Sequence, residues 1–144
     1  MEKFYYYAPV ILIVVFEASY QIAAKGMPSA NNIFANLVWV YLTSAVLSVA
    51  LFFATNKSGG SLMSEMSGTN WAPFVLGTSI VGFEFGFVML YRVGWEMSVG
   101  STFCNMLVAL LLIAIGALVY KDQITFSKLL GVALCAGGLF FLNR

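Results

Sequence analysis

The chain has no histidine, two cysteines and little charge, with seven Lys or Arg and six Asp or Glu in 144 residues. Without histidine, a glycine-rich phosphate loop or a nucleophile beside a base, the groups that soluble-type catalysis draws on are missing. A net charge of +1 gives no basic footprint for nucleic acid. Cys104 and Cys135 both fall inside apolar stretches, and their spacing makes neither a metal site nor a disulfide framework. The expectation is a chain with no enzymatic activity, no metal and no cofactor.

What the chain does have is apolar length. Hydrophobic residues make up 61% and charged residues 9%, against about 45 to 50% and about 25% in a soluble domain. One bilayer crossing takes about 20 apolar residues, and five such stretches stand between polar or Gly/Pro breaks: Phe4–Ala24, Ile33–Thr55, Trp71–Tyr91, Val99–Tyr120 and Ile124–Leu142. They predict an all-α integral membrane protein, one module over residues 1–144 with five transmembrane helices, multi-pass in the cell (inner) membrane and surrounded by lipid. Phe4–Ala24 is too long for a signal peptide, carries Glu17 and lacks a small-residue cleavage site, so it is expected to be a mature helix. The longest connection, Asn56–Asn70, is rich in Ser, Gly and Asn and is expected to be a solvated loop, with Lys57 and Glu65 as ordinary surface charges. Tyr5, Tyr6, Tyr7, Trp71, Trp95 and Tyr120 cluster at segment ends, where amphipathic rings sit at headgroup depth.

Five crossings place Lys3, Lys57, Lys121 and Lys128 on one side, and Lys25, Arg92 and Arg144 on the other. Orientation is set by the difference in Lys and Arg between the two sides, and here the difference is one residue. Either a partner or folding decides the orientation, or both orientations occur and two copies pair head to tail as an inverted dimer.

Glu17 stands near the middle of its stretch, where a carboxylate costs about 2.5 to 3.5 kcal/mol on insertion scales and marks a functional site by default. Tyr20, Gln21 and Ala24 share its face by the i, i+3, i+4 rule, a polar stripe that must avoid lipid. A second acid, Glu84, lies on a stripe with Gly77 and Tyr91, while Thr78, Gly82 and Gly86 form a small-residue run that lets another helix approach. In the fourth stretch Ser98, Ser101, Thr102 and Asn105 are either a hydrogen-bonding wall for a ligand or groups spent on interhelical and backbone bonds. Glu96 stands where that helix begins, with Arg92 four residues earlier, and is read as structural or gating, with substrate entry as the lesser role. Burial opposes ionisation and a cation favours it, so a proton and a cation compete for one buried carboxylate. A dimer would gather two copies each of Glu17 and Glu84, which could not all ionise without water or cations.

The run Tyr120-Lys121-Asp122-Gln123-Ile124-Thr125, then Leu129-Leu130-Gly131, resembles the charged turn and helix that end each EamA-type module of the drug/metabolite transporter superfamily. Gly131, Leu134, Gly138 and Leu139 look like the Gly-rich dimerisation stripe in the last helix of small multidrug resistance transporters. Glu17 followed eight residues later by Lys25 is similar to the first helix of the same family. The resemblance covers nearly the whole chain. It implies a proton-coupled antiporter or exporter of small organic cations or metabolites, working as a homodimer, with Glu17 shared by proton and substrate; from the acids themselves, Glu84 is expected either to bind substrate or to tune Glu17. Two features depart from the small multidrug pattern: Ile33–Thr55 is an extra helix, giving the five of one EamA module, and Cys104 occupies the position of an expected aromatic. The first makes the chain a half-transporter that must pair; the second argues against a multidrug cage. The alternatives are a membrane or lipid-handling subunit that needs a different chain, and a multipass lipid enzyme, for which no nucleophile, metal set or anion site appears.

Overall fold

The computed structural model describes residues 2–57 and 59–119, together with 121, 125, 130, 131, 134, 137 and 138. Among these residues five helices are bounded, in order: α1 Glu2–Lys25, α2 Ile33–Thr55, α3 Leu62–Ser67, α4 Ala72–Arg92 and α5 Met97–Leu118. There is no strand among the described residues. Four of the helices, over Tyr6–Lys25, Ile33–Thr55, Ala72–Arg92 and Met97–Leu118, are long and apolar enough to cross a membrane. These match the first four expected spans to within a few residues. The fifth, Ile124–Leu142, lies for the most part outside the described residues, as does Cys135; Gly131, Leu134 and Gly138 are described singly, with helical backbone and exposed.

The helices suit lipid in two ways. Large apolar side chains along them, such as Leu12, Phe16, Val46, Phe74 and Leu111, point outward. The hydroxyls of Ser19, Thr43, Ser48, Thr55, Thr78, Ser79, Ser101 and Thr102 each donate to the carbonyl four residues earlier in their own helix. A hydroxyl bonded this way is satisfied without water, which hydrocarbon requires. Pro9 lies inside α1, removing one backbone donor from the ladder, a defect that membrane helices tolerate.

The chain divides into two compact units. The first comprises residues 1–25 and 90–144, which hold α1, the last turn of α4 and α5. Here α1 packs on α5, and α4 ends in a Schellman turn: Trp95 N–H donates to the Leu90 carbonyl at 3.3 Å and Gly94 N–H to Tyr91 at 3.1 Å. Gly94 takes φ +101°, a conformation that a side chain resists. Beyond it, Glu96 is the N-cap residue of α5, making no capping bond with its side chain. Gly100 is buried where a Cβ would come 3.0 Å from Leu90 Cδ2 and 3.4 Å from Trp95 Cβ, so the turn folds closely onto the first turn of α5.

The second unit, residues 26–89, contains α2, α3 and α4 up to Met89. Asn32 caps α2 by accepting from Phe34 N–H at 2.9 Å, and Asn70 accepts from Ala72 N–H at 3.0 Å as α4 begins. Phe34 and Phe85 stack with centroids 5.1 Å apart, and Leu37 and Val88 are each 1% exposed. The connection expected to be a plain loop contains α3. Asn56 Nδ2 donates to the Gly60 carbonyl at 2.8 Å and Gly59 sits at φ +70°, turning the chain so that Ser61 can start one short helix. Six residues with Ser and Gly around them carry no periodicity long enough to read, which is why α3 escapes the sequence.

Candidate functional site

Glu17 and Asn105 meet in the first unit. The Tyr6–Lys25 span is 20 residues, about 30 Å of helix, and Glu17 falls within about 2 Å of its centre along the axis. Asn105 lies similarly deep, within about 4 Å of the centre of α5, and its Nδ2 donates to Glu17 Oε1 at 3.0 Å. One helical turn away, Tyr91 donates its hydroxyl to Gln21 Oε1 at 2.5 Å. Ser101 and Cys104 of α5 lie beside Tyr91. As α1 runs from Glu17 to Gln21, α5 therefore runs from Asn105 back to Ser101, so these two helices are antiparallel and joined by the Glu17–Asn105 rung, while the Gln21–Tyr91 rung, about 6 Å further along α1, ties α1 to the end of α4.

The rungs differ in environment. Gln21 and Tyr91 are buried, and Gln21 Nε2 is enclosed with no hydrogen-bond partner. Glu17 and Asn105 are exposed on the flank of the unit. An interhelical hydrogen bond in a membrane is worth about 0.6 kcal/mol on average and about 1 to 2 in model peptides. That is less than the cost of about 2.5 to 3.5 kcal/mol for an acid at mid-membrane. The Asn105 bond alone does not offset Glu17, so its free face calls for a proton, a cation, water or a second protein surface.

The other expected site residues are placed as follows. Tyr20 is half-buried on the stripe with Gln21. Ser101 and Thr102 donate their hydroxyls to the Met97 and Ser98 carbonyls, both at 2.6 Å, which is the backbone role and leaves each oxygen able to accept. Asn105 uses its side chain across helices, donating to Glu17. Arg92 is half-buried at the end of α4, and Glu96 is exposed at the start of α5. In the second unit Glu84 is 9% exposed, its Oε2 is enclosed and unpartnered, and the Tyr41 hydroxyl lies beside it without a well-formed hydrogen bond. A Cβ built at Gly82 or Gly86 meets nothing within 4 Å, so the small-residue face of α4 is open.

Two partners were missed in the sequence. In the sequence Tyr91 is a stripe neighbour of Glu84, and Tyr41 is a single phenol in an apolar helix. Both are polar groups within spans, which was the available signal. A shallow groove along α2, lined by Trp39, Val40, Thr43, Ser44 and Leu47, carries no charged group. Among the described residues no three His, Cys, Asp or Glu side chains cluster to hold a metal. No family model, curated protein or solved structure matches this chain.

Proposed function

We propose that this chain is a secondary transporter of the cell membrane that exchanges protons for small organic cations or metabolites, with Glu17 as the coupling residue. The observation that carries the reading is Glu17 itself: a carboxylate at mid-span, held by one hydrogen bond to Asn105 and open on its other side. One carboxylate cannot hold a proton and a cation together, so arrival of one from one side releases the other. That is antiport at its simplest. The flank bearing Glu17 must be covered in lipid, and we take the cover to be a second copy of the chain in the opposite orientation, each copy contributing five spans. The near-even split of Lys and Arg between the two sides supports such an inverted pair.

The resemblance to EamA-type and small multidrug resistance transporters, carried by Glu17 with Lys25, the Tyr120–Thr125 run and the Gly131, Leu134, Gly138 stripe, supports the same reading. In proteoliposomes with an imposed pH gradient, wild-type protein should move ethylammonium or guanidinium against protons. Glu17→Gln should reduce that flux to the level of protein-free vesicles. Unchanged flux in Glu17→Gln would remove Glu17 from the coupling role.

A further inference from the structure

The side chain facing Glu17 is an amide, and an amide is both donor and acceptor. Asn105 Nδ2 donates to Glu17 Oε1 at 3.0 Å, an arrangement suited to the ionised acid. When Glu17 carries a proton, its O–H can donate to Asn105 Oδ1 after a half-turn of the amide, with little change in position. A Lys or Arg in this place could only donate, and a carboxylate could accept only from the protonated form.

We propose that Asn105 is a two-way positioning residue, donating to Glu17 when it is ionised and accepting from it when it is protonated. The α1 and α5 rung then survives the exchange of proton for cation, and the second carboxylate oxygen stays turned toward the flank where a cation arrives. This inference rests on the reading of Glu17 as a proton-exchanging group.

Few other groups could produce the same pH response at Asn105. Helix α5 carries no Asp, Glu, Lys or Arg, and its Cys104 is half-buried beside Tyr91. Helix α1 bears Lys25, two turns beyond Glu17, and the end of α4 bears Tyr91 and Arg92. At the start of α5, Glu96 is nine positions from Asn105, about 13 Å along the chain axis.

The test is solid-state NMR on protein in bilayers, with 15N in the asparagine side chains and 13C in the glutamate carboxyls, at acidic and at alkaline pH. The Asn105 signal is assigned by its loss in Asn105→Leu. Its side-chain 15N shift should move between the two conditions in wild-type protein and stay still in Glu17→Gln. A shift that does not move, or that moves equally in Glu17→Gln, overturns the proposal. A second measurement needs no variant, with 13C added at the asparagine side-chain carbonyl: the nitrogen to carboxyl coupling between Asn105 and Glu17 should weaken at acidic pH as the half-turn carries Nδ2 away, while the carbonyl to carboxyl coupling persists; an unchanged nitrogen coupling, or loss of the carbonyl coupling at acidic pH, overturns the two-way role. Neither result depends on flux, so the pair can fail while transport stands, and transport can fail while the pair stands.

Discussion

Gln21 and Tyr91 are the most enclosed polar pair in the first unit, and their energetics follow from what each leaves behind. Tyr91→Phe removes the hydrogen bond that Gln21 Oε1 accepts, on an amide whose nitrogen is already unpartnered, and should destabilise the protein by about 1 to 2 kcal/mol. The double variant Gln21→Leu/Tyr91→Phe buries no orphaned amide and should be at least as stable as Tyr91→Phe alone. Unfolding in detergent measures both; an additive double variant would mean the two side chains do not share a bond. At this scale the sequence was informative about identity and poor about partnership. Glu17, Gln21 and Asn105 stand out because polar groups are costly in apolar spans, but Asn105 lies 88 positions from Glu17. Spacing along one helix says which residues share a face, and says nothing of which face of another helix they meet.

The spans themselves were legible because length and hydropathy are local properties, and α1, α2, α4 and α5 start and stop where polar, Gly or Asn residues interrupt them. The ends of α2 fall where expected, and those of α1, α4 and α5 shift by one or two residues, with caps that account for two of them. Helix α5 begins at Met97 rather than Val99 because Glu96 takes the N-cap position, and α4 ends under Gly94. Gly94 offers the sharpest test at this level. Its φ of +101° puts Gly94→Ala in a strained backbone conformation costing about 1 to 3 kcal/mol. The loss should appear as a lower midpoint in thermal unfolding. A midpoint equal to the wild type would show that the turn relaxes without the Schellman geometry. Gly100→Ala should be milder, because the atom it meets most closely is the free end of the Leu90 side chain.

For the molecule as a whole, the described residues are all-helical with four apolar spans, and they leave one mid-span acid, Glu17, open on a flank and another, Glu84, enclosed beside Tyr41. Glu17 needs a cover that the described residues do not supply, and a paired arrangement of two copies supplies one while placing both Glu17 side chains at one shared site. The open Gly82 and Gly86 face of α4 and the Gly131, Leu134, Gly138 stripe are further surfaces on which helices can approach closely. How copies pair is set by surfaces of the folded chain, so the sequence yields only the charge balance and the small-residue runs as hints of it. The most direct test of the account is flux from vesicles reconstituted with wild-type and Glu17→Gln chains mixed in varying proportion. If two copies share one coupling site and both acids are required, proton-driven cation flux at equal mixing should fall to about a quarter of wild type, following the square of the wild-type fraction. Flux proportional to the wild-type fraction would contradict the shared site, and flux independent of it would contradict the role of Glu17.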